Sequence, residues 1–317
     1  MLIDGIWTKD WHPVQQSDEK GRFIRQTSSF RNWITANGDA GQTGASGFKA
    51  EAGRYHLYVA LICPWASRTL MARALLGLED FISVSVVEPA LTDQGWKFGP
   101  YPGSNMDTVN GANFMHELYT RIDPNFTGRA TVPLLWDKVT QTVVNNESAD
   151  IIHMFNSAFG HLTSTQTNLR PADLEAAIKA KNTWLYETLN NGVYKCGLAV
   201  SQEAYSEALK GVFNSLDQLE ADLADQEYLF GSRFTESDIR LFVTLVRFDA
   251  AYFGLFKTNI RAIANYPNLS AYLEKVYALP GINKTVNIDH IKQGYYSIRA
   301  LNPNGIVPEG PTLDFIQ

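Results

Sequence analysis

This chain of 317 residues has two cysteines, no excess of basic charge and no apolar run approaching the roughly 20 residues that span a bilayer. Each shortage excludes something. Two cysteines cannot build a disulfide scaffold, and their scarcity fits a reducing compartment. A net charge of −6 without a basic cluster argues against nucleic-acid binding. The six histidines are scattered away from Cys63 and Cys196, so metal-ligand spacing is missing and no metal is expected. The opening Met1-Leu2-Ile3-Asp4-Gly5 has neither a basic segment nor the apolar core of a secretion signal, which leads to an expectation of a cytoplasmic protein. No internal repeat or low-complexity segment stands out. The length suffices for two domains, each with its own core.

What is present is concentrated around one thiol. Leu57-Tyr58-Val59-Ala60-Leu61-Ile62 is an apolar strand that runs directly into Cys63-Pro64-Trp65-Ala66. Proline is favoured at the first helical position, and the segment to Leu76 contains no further proline or glycine, so Cys63 is predicted to stand at a helix start. Unpaired N–H groups and the positive end of the helix dipole converge there. Cysteines so placed have pKa values lowered to about 3.5–7.5 and are nucleophilic at neutral pH. A lone cysteine is more often an inert core residue; the strand, Cys-Pro and helix together reverse that balance. Ala66 stands where a dithiol motif has its second cysteine, and Cys196 lies far downstream. A disulfide formed at Cys63 in turnover would therefore involve a small thiol from solution, which points to glutathione or a similar co-substrate.

Residues 1–53 show little periodicity and read as an irregular extension that packs on the core through Trp7, Trp11, Phe23, Phe30 and Trp33. A domain over 54–160 follows, with a strand at His56–Leu61, a helix at Pro64–Leu76 and a strand at Ile82–Val87. After a Gly- and Pro-rich stretch come a helix around Asn113–Arg121, a strand over Thr131–Asp137, its partner at Thr142–Val144, and a helix at Glu147–Phe155. Residues 165–317 read as a helical C-terminal domain with a C-terminal tail. Tyr205, Leu209, Val212, Phe213, Leu216, Leu219 and Leu223 form one helical face. Thr235-Glu236-Ser237-Asp238 has the form of a capping box that opens another helix.

This order resembles the glutathione transferase superfamily, which implies a thioredoxin-like N-terminal domain with an all-helical C-terminal domain. Five separated segments resemble its Xi class, the glutathionyl-hydroquinone reductases: Cys63-Pro64-Trp65-Ala66, Gly128-Arg129-Ala130-Thr131-Val132-Pro133, Asn146-Glu147-Ser148, Asn190-Asn191-Gly192-Val193-Tyr194-Lys195, and Asp238-Ile239-Arg240-Leu241 followed by Val246-Arg247-Phe248-Asp249. Ser67 departs from the pattern, since many members have His there. The resemblance implies Cys63 as nucleophile and Trp96, Arg129, Val132, Glu147 and Ser148 as contacts to glutathione. A guanidinium suits a carboxylate through its rigid fork of donors. Glu147 and Ser148 open a helix, where a hydroxyl and N–H groups suit a carboxylate and Glu147 an ammonium. The resemblance further implies Tyr194, Tyr252 and Tyr295 around a hydroquinone, glutathione as co-substrate without a permanently bound cofactor, glutathionyl-hydroquinone as the second partner, and a homodimer. Read alone, Trp96 could be a loop anchor, Arg129 a solvated side chain, Glu147 and Ser148 a helix cap, and the tyrosines core. The rival functions are a general thiol transferase or dehydroascorbate reductase, and a non-enzymatic docking module.

Overall fold

The computed structural model describes residues 1–9, 17–313 and 315. Trp11, expected to pack the extension, lies outside them. The chain divides into two units, and these cross the boundaries read from the sequence. The first unit comprises Met1–Trp11, Thr27–Asn168 and Lys284–His290, the second His12–Gln26, Leu169–Asn283 and Ile291–Gln317.

In the first unit, β1 (Leu2–Ile3) and β2 (Ile6–Trp7) form a small hairpin that the reading of an irregular extension did not anticipate. Asp4 and Gly5 make its two-residue loop with φ of 46° and 77°, the left-handed pair that matches strand twist in a tight hairpin. The remainder of the extension is largely irregular; Trp33 is buried in this unit, and Phe23 is buried in the second.

The central sheet runs in the order β4-β3-β5-β6, built from β3 (Tyr55–Val59), β4 (Ile82–Val86), β5 (Leu134–Asp137) and β6 (Thr142–Asn145). β3 lies parallel to β4 with Leu57 opposite Val84, and antiparallel to β5 with Leu57 opposite Leu135. Every residue of β3 is buried, as befits a strand covered on both faces. The helices of this unit are α1 (Pro64–Leu75), α2 (Met115–Ile122) and α3 (Ser148–Ala158), and α1 packs against α3. The expected strand over Thr131–Asp137 begins only at Leu134: Pro133 has no N–H to donate, and Thr131 is held by a side chain of α2 instead.

The second unit is helical, with α4 (Glu175–Leu185), α5 (Gly192–Gly197), α6 (Gln202–Asp222), α7 (Glu236–Arg247), α8 (Phe253–Leu255), α9 (Pro267–Tyr277) and α10 (Ile288–Tyr296), the last beginning in the first unit's segment. The periodic face of α6 is buried at Val212, Phe213, Leu216 and Leu219, and Ser201 caps the helix by accepting the Ala204 N–H at 3.1 Å. The capping box of α7 forms as its sequence predicts: Asp238 Oδ2 accepts the Thr235 N–H at 2.8 Å, and the Thr235 hydroxyl accepts from Ser237. Burial is the main cause that pushes the Asp238 carboxyl up to about 6. Sequence periodicity did not separate out two π-helical turns, Tyr186–Asn190 and Phe248–Tyr252, which precede α5 and α8. Among the described residues no helix is long and apolar enough to cross a membrane.

Candidate active site

Cys63 is the N-cap of α1, with Pro64 at the first helical position and an extended backbone at φ −78° and ψ 116°. Its carbonyl accepts the Ser67 N–H at 3.0 Å, the first bond of the helix, and its own N–H closes a turn onto Ala60 O at 3.0 Å. The thiol is partly exposed, and its Sγ lies 3.5 Å from the Val132 carbonyl, to which it donates. Ser67, where many of the resembled proteins have His, is buried one turn along. Arg68 follows, also buried, its guanidinium 4.4 Å from the Trp65 ring centroid. The sequence reading did not single out that cation on the cysteine's own helix.

Val132 precedes a cis peptide bond to Pro133. Its carbonyl meets Cys63, and its N–H donates to no other group among the described residues. The preceding residue is fixed by Tyr119 of α2, whose hydroxyl donates to Thr131 O at 2.9 Å and accepts the Thr131 N–H at 3.1 Å. The same hydroxyl accepts from Asn146 Nδ2 at 3.2 Å, so one buried phenol ties the Val132 segment to the start of α3. Burial raises the Tyr119 pKa and keeps this phenol neutral. Nothing in the local sequence distinguishes Tyr119 from an ordinary apolar-face tyrosine.

At the head of α3 the cap reading of Glu147 holds: it is the N-cap, and Oε1 accepts the Ala149 N–H at 3.1 Å. Oε2 accepts from the Ser28 hydroxyl at 2.8 Å. Ser148 is buried and lies 3.5 Å from Glu147 Oε1. One turn on, Asp150 pairs in two-pronged fashion with Arg31 at 2.6 and 3.0 Å. Ser28 and Arg31 come from the extension and were not anticipated. Trp96 and Arg129 are each partly buried, on separate loops of the same unit. The Trp96 carbonyl accepts the Met115 N–H at 2.9 Å, and Arg129 adjoins Gly128, which pairs with β1.

In the second unit the three tyrosines converge, from α5, the π-helical turn before α8, and α10. The Tyr194 and Tyr295 hydroxyls are 2.6 Å apart, and those of Tyr252 and Tyr295 3.0 Å. Tyr252 and Tyr295 are buried and Tyr194 partly so, and Phe256 lies against all three rings. Burial first, then the neighbouring phenols, hold Tyr252 and Tyr295 well above the ordinary tyrosine pKa, against the charge of Arg247. They are neutral hydrogen-bonding groups at physiological pH. Arg25 stacks its guanidinium 4.7 Å from the Tyr194 ring centroid and bonds Asn191 at 2.8 Å. Arg25 was not predicted from the sequence, whereas Arg247 lies in one of the five Xi-like segments.

Cys196 is the inert counterpart of Cys63. It is 4% exposed in α5, and burial pushes its thiol up to about 12. Ellman's reagent is expected to titrate one thiol per native chain and two in guanidinium, with the native signal absent from Cys63→Ser. Two rapidly reacting native thiols would contradict that burial.

The chain matches the family model described as glutathione S-transferase, N-terminal domain over residues 62–158 and that described as glutathione S-transferase, C-terminal domain over 202–275. It is 50% identical to glutathionyl-hydroquinone reductase YqjG of Escherichia coli K12, over 99% of this chain and 95% of that protein. It is 47% identical to glutathionyl-hydroquinone reductase PcpF of Sphingobium chlorophenolicum, over 98% and 96%. The glutathione-bound structure of YqjG superposes with a TM-score of 0.92 at 47% identity, covering 100% of this chain and 97% of that one. The Xi glutathione transferase of Phanerochaete chrysosporium gives 0.90 at 48% identity, covering 95% and 96%.

Proposed function

From the premise that the chain belongs to the glutathionyl-hydroquinone reductases, the Xi class of the glutathione transferases, we propose that it reduces S-glutathionyl-hydroquinones to hydroquinones with glutathione as co-substrate. The observation that carries this reading is the likeness, over nearly the whole length of both chains, to two proteins of that activity. The setting of Cys63 at the N-cap of α1 supports a thiolate as the attacking group.

The thiolate attacks the sulfur of the conjugate, forming a Cys63–glutathione disulfide and breaking the bond from sulfur to the ring carbon. The departing electron pair goes to that carbon, which takes a proton to give the hydroquinone. Glutathione thiolate then attacks the mixed disulfide, releasing glutathione disulfide and restoring Cys63. With Ala66 in place of a local second thiol, this step is intermolecular. Val132 offers a backbone N–H and C=O to the peptide of glutathione. Arg129 suits a carboxylate, Trp96 packs on the peptide, and Glu147 and Ser148 receive the γ-glutamyl end. The phenols of Tyr194, Tyr252 and Tyr295 supply neutral donors for the oxygens of the hydroquinone. The same reading carries a homodimer, to be read as twice 35.4 kDa in sedimentation, and a cytoplasmic location, to be read by fractionation.

Glutathionyl-menadiol incubated with enzyme and glutathione should yield menadiol and glutathione disulfide in equal amounts; a conjugate left intact would refute the proposal. Tyr295 is the middle member of the hydroxyl chain, and Tyr295→Phe keeps the ring while removing both bonds. Two lost hydrogen bonds at about 0.5–1.5 kcal/mol each predict a loss of conjugate turnover of about 5- to 160-fold. Reduction of hydroxyethyl disulfide, which has no phenolic oxygens, should change less than about twofold. Parallel loss of both activities with a lower melting temperature would assign Tyr295 to packing alone.

A further inference from the structure

We propose that the N-terminal hairpin is a clamp that positions Trp96 and Arg129 for glutathione, with Trp7 as its fastening residue; this rests on the reading of those two residues given above. One edge of the hairpin grips the segment that leads to Arg129. Leu2 exchanges both backbone bonds with Gly128, at 2.9 and 3.0 Å, in antiparallel register. The Gly5 N–H reaches Phe126 O at 3.1 Å, and the Asp4 N–H reaches the Thr127 hydroxyl at 2.9 Å. Any side chain at position 5 would collide with this segment, since a Cβ there would lie 1.8 Å from Pro124 O. Three consecutive residues before Arg129 are thus bonded to β1 and its turn.

The second strand grips the turn that leads to Trp96. Thr92 and Gly95 close that turn with reciprocal bonds of 3.1 and 2.9 Å, and Gly95 holds φ at 78°. Trp7 donates its indole N–H to Asp93 O within the turn at 2.7 Å. Its ring lies so close over Gly95 that a Cβ would come within 2.8 Å. That ring also stacks on His116, 4.8 Å away at 23°, which in turn stacks on Phe114 at 5.5 Å. Burial lowers the His116 pKa, so the stack is of neutral rings. Trp96 is the residue immediately after this covered turn.

A hairpin with two residues per strand has no stability of its own, and its paired Ile3 and Ile6 point outward at 48% and 73% exposure. It contributes little to the core beyond Leu2, and its polar bonds are spent on the two loops. Such a device acts on the geometry of what it holds, which in this unit is one loop ending in an indole and another ending in a guanidinium. Trp7 is therefore a positioning residue.

The test is a set of variants read by calorimetric binding of S-methylglutathione, steady-state kinetics and melting temperature. Trp7→Ala should weaken the analogue about tenfold and raise the KM for glutathione, with kcat at saturation and melting temperature little changed. Trp7→Phe, which keeps the stack and loses the bond to Asp93, should recover most of the affinity. Trp96→Ala and Arg129→Ala should each weaken binding as well, and Trp7→Ala combined with Trp96→Ala should weaken it no more than Trp96→Ala alone. Full additivity in that pair, or a Trp7→Ala that binds normally while Trp96→Ala and Arg129→Ala do not, overturns the clamp. A parallel fall of affinity, kcat and melting temperature in Trp7→Ala also overturns it in favour of a purely structural role. If Trp96→Ala and Arg129→Ala both bind normally, the assignment of those residues fails, and the clamp with it.

Discussion

Cys63→Ser is expected to lose more than about a hundredfold in turnover of glutathionyl-hydroquinones, at least about 2.7 kcal/mol of barrier, while its melting temperature and its affinity for S-methylglutathione stay close to those of the parent. The substitution removes the attacking sulfur but disturbs little else. The side chain is partly exposed, and its hydrogen bond to Val132 O can be made by a hydroxyl. A serine hydroxyl stays protonated at neutral pH, so the N-terminal field of α1 has no anion to stabilise. Mass spectrometry gives an independent reading: parent enzyme treated with conjugate and no glutathione should carry one glutathione on Cys63, and the variant none. Loss of less than tenfold, or the quinone ring attached in place of glutathione, would overturn the direction of attack proposed for this cysteine.

The second large effect is on stability. Arg54, just before β3, donates to Asp137 at the end of β5 through Nε at 3.0 and 3.1 Å and through a second nitrogen at 2.6 Å, with both side chains buried. Arg54→Met keeps the length and removes the charge, leaving a carboxylate in the interior with, among the described residues, only the Val139 N–H and the Thr140 hydroxyl as donors. Removing one member of a buried pair costs about 3–5 kcal/mol, enough to lower the melting temperature by several degrees or more.

The pH dependence separates this cause from lost packing. Burial by itself would raise the pKa of Asp137, but Arg54, Thr140 and Val139 together hold it below the ordinary value. A lowered folded-state pKa means stability that is present above the unfolded value of about 4 and lost as pH falls through the folded value. In Arg54→Met that gain is gone, so the gap in stability between parent and variant should be widest near neutrality and narrow below about pH 4. A gap that stays constant from pH 7 to pH 3 would mean that the pair's charge contributes nothing. The Asp137→Asn variant should show the same narrowing.

Much of the site was legible because its decisive features are local. A strand that runs into Cys63-Pro64 dictates a helix start at the thiol, since proline suits only the first turn and the next eleven residues can all be helical. The capping box of α7 and the buried face of α6 follow from contacts within one turn and from a 3.6-residue period. Asp4-Gly5 between apolar pairs was equally local and carried a hairpin signal, but the lack of longer periodicity around it masked that signal.

Determined by the sequence alone were the helix start at Cys63, the absence of a second thiol within reach along the chain, and the division into a mixed β-α half followed by a helical one. Only the tertiary structure decided which distant side chains meet. Tyr194 finds Tyr295 across 101 residues, Ser28 reaches Glu147 across 119, and Tyr119 joins Thr131 to Asn146. It also decided that Trp7 covers Gly95 and that Cys196 is sealed from solvent. The physical reason is range. Caps, turns and helical periods are governed by backbone dihedrals and neighbours a few residues away, so they leave a pattern in one stretch of chain, whereas a hydrogen bond between hydroxyls a hundred residues apart is set by how whole elements pack and leaves none.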